Sequence, residues 1–131
     1  MVITTITALI NLNDCKAFTM PGTTVYVKIT NKLSQNKTLL LHCRSDDDDL
    51  GDHSLEPQKS YDFNFGESFL WTTLYTCGFT FDEQNHEFDI YDAATMSCVE
   101  HCWWEVKENG PCLYKDGNYS DCQPWISVTK A

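Results

Sequence analysis

Residues 38–51 have the sequence TLLLHCRSDDDDLG, in which an apolar run ends at Cys43 and four consecutive aspartates are closed by Leu50–Gly51. A short apolar run bounded by turn residues predicts a buried strand. A cysteine on such a strand, next to a charged turn, predicts a disulfide-bonded β-domain that carries an acidic loop at one end.

Strand patterns continue on both sides of this segment. Val25–Thr30 and Ser60–Phe65 alternate apolar and polar residues, and this period of two indicates half-buried strands. Cys102–Tyr114 contains Asn109–Gly110, a strong short-range signal for a hairpin turn. The chain therefore predicts an all-β fold, a single small disulfide-stapled β-sandwich of about seven or eight antiparallel strands.

The chain of 131 residues is long enough for one domain with its own core. We place the β-sandwich at residues 25–114. Residues 1–24 are predicted to be an N-terminal segment, either an edge strand or a sequence foreign to the mature protein, with a truncated signal peptide as the alternative. Residues 115–131 are predicted to be a C-terminal tail packed on the domain.

The formal net charge is -10, from 19 acidic and 9 basic residues. Binding to nucleic acid or to an anionic membrane surface depends on Lys and Arg, so this charge argues against both classes of partner. No segment is long enough to span a bilayer, which predicts a protein without membrane insertion. A basic surface on a protein partner is compatible with the charge.

Seven cysteines in a chain of this length fit either a disulfide scaffold or a metal site. Their wide spacing favours disulfides, because zinc sites usually draw paired ligands from close positions in the sequence. Only Cys98 and Cys102, with His101 between them, have ligand-like spacing, and no second pair matches them. Two sequons, at Asn36 and Asn118, together with the cysteines predict a secreted glycoprotein.

Most aromatic residues occupy alternate positions of the predicted strands, which assigns them to the core rather than to a ligand platform. The predicted core aromatics are Tyr61, Phe63, Phe65, Phe69, Trp71, Tyr75, Phe79, Phe81, Phe88 and Trp104. Adjacent strand residues point to opposite faces, so Trp103 is predicted to be exposed or covered by the tail.

Catalytic motifs are absent from the sequence, which lacks G-x-S-x-G, H-E-x-x-H and a glycine-rich phosphate loop. The one candidate for thiol chemistry or a thiolate metal site is Cys98 beside His101. The run of aspartates lacks the spacing of an EF-hand and is predicted to be a solvated turn. We therefore predict a protein that is not an enzyme and that holds no cofactor or metal.

Six segments, in order, resemble the plant self-incompatibility S-protein homologue family, which is typified by the stigmatic S-determinant of poppy. The most specific is H-C-x-S-x-x-x-D-L-G, from His42 to Gly51. The segments are Val27–Leu33, Leu41–Gly51, Tyr61–Phe65, Thr73–Cys77, Phe88–Tyr91, and Cys102–Val106 followed by Gly110–Cys112. They lie within residues 25–114, which is most of the chain.

The resemblance implies a small secreted β-sandwich without a catalytic centre. The best-known family members are displayed by the stigma and perceived by a membrane protein on pollen. The predicted function is therefore that of a secreted ligand, monomeric, for a plasma-membrane receptor protein on a partner cell, as in pollen rejection. The alternatives are a secreted plant signalling or defence protein with a different receptor, and a metal-binding or thiol enzyme centred on Cys98 and His101.

Loops at the ends of a rigid sandwich are the candidates for contact with a partner, namely Asp46–His53, Asp82–Asn85 and Ala93–His101. Ala93–His101 resembles a hydrophilic loop between late strands that the family is thought to use in recognition. We predict that this loop and the acidic turn form the contact surface. The predicted partner-binding residues are Asp46, Asp47, Asp48, Ala94, Thr95, Met96, Val99 and Glu100.

The resemblance also implies conserved disulfides. The cysteines at matching family positions are Cys43, Cys77, Cys102 and Cys112. These four allow three pairings, of which we favour Cys43 with Cys112, and Cys77 with Cys102. Outside the family pattern, we expect Cys15 to pair with Cys122 and to tie the two tails together. This hypothesis leaves Cys98 free.

Overall fold

The computed structural model of the protein describes residues 23–67, 72–95, 98–125 and 127–130. These residues form two five-stranded sheets, which confirms the predicted disulfide-bonded all-β sandwich. The strands are β1 (Thr24–Asn31), β2 (Leu39–Arg44), β3 (Asp49–Leu55), β4 (Ser60–Gly66), β5 (Leu74–Phe81), β6 (Gln84–Asp92), β7 (His101–Lys107), β8 (Gly110–Lys115), β9 (Asn118–Cys122) and β10 (Ser127–Lys130). The described part of the chain has no helix long and apolar enough to cross a membrane.

The described residues contain ten strands, more than the predicted seven or eight, because edge strands escape the apolar pattern. The first sheet has the order β4-β1-β7-β8-β9, and the second has the order β10-β6-β5-β2-β3. β3 and β9 lie at sheet edges and are mostly exposed or half-buried. An edge strand pairs on one side only, so a polar sequence is tolerated there.

The prediction that all strands are antiparallel is wrong for β1 and β7, which pair in parallel at the centre of the first sheet. Tyr26 lies opposite His101, and Asn31 lies opposite Val106. Between β1 and β7 the chain visits the second sheet, and parallel pairing requires such a long crossover. Both strands therefore begin at the same end of the sandwich.

The core lies between the sheets and is built from the alternate residues of β1, β2, β5 and β7. Four predicted core aromatics are buried, namely Tyr75, Phe79, Phe81 and Trp104. Four others are partly buried against the core, namely Tyr61, Phe63, Phe65 and Phe88. Phe69 and Trp71 lie outside the described residues. Burying one such ring stabilises the fold by roughly 1.5–3 kcal/mol.

Asn31 ends β1 and is fully buried, although its side chain is polar. Its Nδ2 donates to the carbonyl oxygens of Lys37 and Leu55, both at 2.9 Å, and its Oδ1 accepts from the N–H of Leu33 at 2.9 Å. The amide thus joins the β1–β2 connection to the end of β3. This contact explains an asparagine at a position where the strand pattern predicts no special residue.

The disulfides differ from the predicted pairings. The bonds are Cys43–Cys77, Cys98–Cys102 and Cys112–Cys122. The predicted pairings of Cys43 with Cys112 and of Cys77 with Cys102 are wrong. Cys43 and Cys77 lie opposite each other on the neighbouring strands β2 and β5 and bond to each other. Their predicted partners lie in the other sheet.

Two further disulfide expectations are also wrong. Cys122 lies opposite Cys112 across β8 and β9, so its sulfur is not available to Cys15. Cys98 is bonded to Cys102, only four residues away, and is not a free thiol. Cys15 itself lies outside the described residues, as does the predicted N-terminal segment up to residue 22.

The C-terminal tail adds one edge strand to each sheet, β9 to the first and β10 to the second. Between them, the N–H of Gln123 donates to the carbonyl of Pro111 at 2.9 Å, and Trp125 Nε1 donates to the carbonyl of Glu108 at 2.9 Å. The Trp125 ring also packs at 5.6 Å from the ring of Phe79. The tail therefore closes the end of the sandwich at which β7 turns into β8.

Gly110, in the predicted Asn-Gly turn, is fixed by both conformation and space. Its φ is +142°, a region that side chains with a Cβ rarely adopt. A Cβ at this position would lie 1.9 Å from the carbonyl oxygen of Gln123. The absence of a side chain at Gly110 therefore permits both the hairpin conformation and the close approach of the C-terminal tail.

Candidate functional site

The two loops predicted to contact a partner leave the same end of the second sheet. β5 pairs with β2 on one side and with β6 on the other. Arg44, at the end of β2, lies opposite Thr76, and Leu74 lies opposite Asp92 at the end of β6. The acidic turn (residues 45–48) and the β6–β7 segment (residues 93–100) are therefore separated by one strand, roughly 10 Å across the sheet.

The acidic turn is closed by its own backbone. The N–H of Ser45 donates to the carbonyl of Asp48 at 2.8 Å, and Asp46, Asp47 and Asp48 are exposed. Burial raises the pKa of Tyr75, a hydrogen bond with Ser45 opposes this shift, and the charges of Asp48 and Asp47 add to it. The Tyr75 hydroxyl therefore lies close to the acidic turn.

His42 and Asp49 explain the most specific segment of the sequence. Asp49 Oδ1 lies 2.5 Å from His42 Nε2 and accepts from the N–H of Gly51 at 2.9 Å, while His42 Nδ1 lies 2.8 Å from Asp52 Oδ1. The hydrogen bond with Asp49 raises the pKa of His42, and the Gly51 N–H followed by His42 lowers the pKa of Asp49. Gly51 has φ +78°, which brings its N–H to the carboxylate. These contacts join both strands at the base of the turn.

The β6–β7 segment is held at both of its ends. The N–H of Ala94 donates to Asp92 Oδ1 at 2.9 Å where the segment begins. Where it ends, the Cys98–Cys102 disulfide anchors it to β7, and the carbonyl of Glu100 accepts from a backbone N–H of β1 at 2.6 Å. The loop is thus fixed to both sheets.

Most of the predicted partner-binding residues lie on this surface. The exposed ones are Asp46, Asp47, Asp48, Ala94, Thr95 and Glu100, and Val99 is half-buried. Met96 lies outside the described residues. Asp116, in the β8–β9 turn, is exposed at the same end. Within the described part of the chain, no ion pair neutralises Asp46, Asp47 or Asp48. We call the surface formed by these three aspartates, Ala94, Thr95, Glu100 and Asp116 the acidic end.

An aromatic row on the outer face of the first sheet was not predicted from the sequence. It crosses the sheet through Tyr26 on β1, His101 and Trp103 on β7, Tyr114 on β8 and Tyr119 on β9. Successive ring centroids are 5.4, 5.7, 5.7 and 5.1 Å apart. The one sequence signal was the adjacent pair Trp103–Trp104, of which only the second is buried.

Comparison with known proteins identifies the family. The model of the family described as plant self-incompatibility protein S1 matches residues 26–125, about as far as the described sandwich extends. The chain belongs to this family. The match confirms the resemblance carried by the segment from His42 to Gly51.

Curated S-protein homologues of Arabidopsis thaliana are similar to the chain. S-protein homolog 2 is 40% identical over 107 residues, which cover 76% of this chain and 66% of that protein. S-protein homolog 3 is 40% identical over 112 residues, which cover 79% and 74%. A solved structure of a self-incompatibility protein homologue has a TM-score of 0.63 at 15% identity and covers 81% of this chain and 97% of that chain.

The sequence predicts secretion, and secretion is also the localisation described for the S-protein homologue family. The solved structure is described as representing a widespread family of small, highly stable, secreted proteins from plants. Disulfides persist in oxidising extracellular compartments, so the three bonds of this S-protein homologue suit that localisation.

In the structure Cys98 is not free for the predicted alternative of a metal or thiol centre at Cys98 and His101. The Cys98–Cys102 disulfide leaves no thiolate at Cys98. The His101 ring stacks on Tyr26, with centroids 5.4 Å apart. In the described ranges, no three His, Cys, Asp or Glu side chains are placed to hold a metal ion.

Both sequons of the S-protein homologue have exposed asparagines. Asn36 lies in the β1–β2 connection, at the end opposite the acidic end, with φ +57°. Asn118 begins β9 after the turn at Asp116–Gly117. Exposure of both side chains makes them accessible to a glycosyltransferase, and their glycosylation stays a prediction.

Proposed function

We propose that the protein is a secreted recognition ligand whose acidic end binds a basic surface of a plasma-membrane receptor on a partner cell. The observation that carries the proposal is the convergence of the acidic turn and the β6–β7 segment on one end of a rigid sandwich. The role is one of binding, with no chemical step performed by this chain.

Rigid presentation supports the proposal. The acidic turn is held by the Ser45–Asp48 and His42–Asp49 contacts, and the neighbouring segment is held by the Cys98–Cys102 disulfide. Loops that are ordered before binding lose less conformational entropy in the complex. A short loop on such a base can vary in sequence while its position stays fixed.

Charge supports the proposal as well. The chain carries a net charge of -10, and three consecutive exposed aspartates, Asp46, Asp47 and Asp48, lie in the acidic turn. A patch of one sign steers a partner of the opposite sign and raises the association rate, with a strong dependence on ionic strength. A basic receptor surface is therefore the complementary partner.

The proposal is tested with fluorescently labelled protein added to intact pollen and to leaf cells. The variant Asp46→Lys/Asp47→Lys is compared with Glu56→Lys/Glu83→Lys, which makes the same charge change at exposed residues of the opposite end. We expect saturable binding whose association rate falls about tenfold or more at low salt in the first variant. The control variant should associate nearly as fast as the natural chain.

Each outcome of this experiment has a defined meaning. Saturable binding to pollen alone supports a role in reproductive recognition, as in pollen rejection. Binding to leaf cells as well supports the second candidate, a signalling or defence ligand with a different receptor. No saturable binding on either cell, or equal loss in both variants, would refute recognition through the acidic end.

A further inference from the structure

The aromatic row presents large rings to solvent on the outer face of the first sheet. Tyr26 is 47% exposed, Tyr114 is 40% exposed, and Trp103 is half-buried between them. Exposed aromatic residues that are contiguous across several strands usually mark a binding surface rather than a scatter of surface residues. The row is separate from the acidic turn, which belongs to the second sheet.

A depression of about 430 Å³ lies beside the row. Its aromatic wall is formed by Tyr26, His101 and Trp103, and its polar side carries Asp62 and Asn64. Lys28 also lines it, with the ammonium 4.8 Å from the centroid of the Trp103 ring. Polar groups are thus at least as prominent in the lining as aromatic rings, a composition that suits a ligand rich in hydroxyl groups.

The charges on this face are balanced, although the chain as a whole is strongly acidic. Lys28 lies opposite Asp62 in the pairing of β1 and β4. Lys107 lies 3.9 Å from Glu105 on the same strand. The face therefore offers little attraction to polyanions or to basic peptides, and a neutral ligand suits its charge.

The chemistry of the depression matches a sugar ring. A pyranose has a face of C–H bonds that packs on an aromatic ring and a rim of hydroxyl groups that both donate and accept hydrogen bonds. The aromatic ring of Trp103 suits the first, and the carboxylate of Asp62 and the amide of Asn64 suit the second. The row continues past the depression to Tyr114 and Tyr119, which extends the surface along a chain of several sugars.

We propose that the aromatic row binds a linear chain of a neutral polysaccharide, with one sugar ring seated in the depression between Trp103, Asp62 and Asn64. The proposal is independent of the receptor proposal, because it uses a different face. A protein that leaves its cell would meet such polysaccharides in the plant cell wall.

The test uses the full chain and three linear neutral hexasaccharides, namely cellohexaose, xylohexaose and mannohexaose, titrated by isothermal calorimetry. We expect one of them to bind, and Trp103→Ala and Asp62→Ala each to weaken it about tenfold or more. Trp103→Phe keeps a ring and should retain most of the affinity. Leu40→Ala removes an apolar side chain that is 48% exposed on the second sheet, away from the row, and should change nothing.

Circular dichroism of each variant confirms that it is folded before titration. Absence of binding to all three hexasaccharides would overturn the proposal, as would unchanged affinity in Trp103→Ala and Asp62→Ala. Binding only to hexagalacturonate, an anionic chain, or only to a branched high-mannose glycan would also overturn it. The variant Asp46→Lys/Asp47→Lys should bind the hexasaccharide normally, which separates this proposal from the receptor proposal.

Discussion

His42 Nε2 lies 2.5 Å from Asp49 Oδ1, so an ion pair closes the base of the acidic turn whenever the imidazole is protonated. The two residues are seven positions apart and lie on adjacent strands, β2 and β3. Because the same carboxylate oxygen also accepts from Gly51, the pair has a fixed geometry. A titratable contact at this position makes the stability of the domain depend on pH.

We expect His42→Gln to lower the free energy of unfolding more at about pH 5.5 than at about pH 8.5. The pKa of His42 is raised in the folded state, so its contribution is fully present below the ordinary value of 6.5. It is lost as the pH rises through the raised value. Urea denaturation at both pH values measures the difference. Equal losses at both would show that charge plays no part.

Asn31→Ala should destabilise the fold by about 3 kcal/mol, because a buried N–H and two buried carbonyls lose their partner. Asn31→Asp should be at least as damaging, since its carboxylate would face the carbonyls of Lys37 and Leu55. Asn64→Ala, at an exposed position of β4, serves as control and should stay within about 0.5 kcal/mol. Chemical denaturation measures the free energy of unfolding of all three variants. A loss for Asn31→Ala as small as that of the control would contradict the hydrogen bonds assigned to Asn31.

Gly110→Ala should destabilise the protein by about 3 kcal/mol or more, because the new methyl group would overlap the Gln123 carbonyl in a strained backbone conformation. The matched control is Gly66→Ala, where a Cβ has no neighbour within 4 Å. Thermal unfolding of the two variants measures the contrast. A similar melting temperature for both would show that the tail does not pack on this turn.

The disulfides should contribute unequally. Cys43–Cys77 closes a loop with a sequence separation of 34, and Cys98–Cys102 closes one of 4. If each bond acts by restricting the unfolded chain, loss of the first bond should lower the free energy of unfolding by about 4 kcal/mol and loss of the second by about 2 kcal/mol. Double alanine variants, unfolded in urea, test the order. A peptide map of the non-reduced protein checks the pairing, and a bond between Cys43 and Cys112 would contradict it.

Much of the fold could be predicted from the sequence because burial on one face leaves a period of two. Val25–Thr30 was identified this way, the Asn109–Gly110 turn was identified by its turn residues, and both lie where expected. β9 was not predicted, because an edge strand does not need an apolar face and so leaves no alternating pattern. The partner of a cysteine depends on which strands become neighbours, and strand alternation does not encode that information.

The acidic end could be predicted in part. The resemblance indicated the loop Ala93–His101, and loop position in a sandwich indicated the acidic turn. Their proximity follows from β5 lying between β2 and β6, which only the sheet order reveals. The aromatic row was missed for the same reason. Its rings come from β1 and from the consecutive strands β7, β8 and β9, and the position of Tyr26 next to His101 is a consequence of the parallel pairing.

That pairing of β1 with β7 has a consequence for how the chain folds. Tyr26 pairs with His101, which is distant in the sequence, whereas β5 and β6 are joined by a short turn and can pair early. Contacts between distant segments close slowly, since the loop entropy is lost before the contact forms. We expect pulsed hydrogen exchange to protect β5 before β1, whose two partner strands are both distant in the sequence, and simultaneous protection would contradict this order. The first sheet therefore stays open between β1 and β7 until β7 is available, and the contact of Tyr26 with His101 forms late.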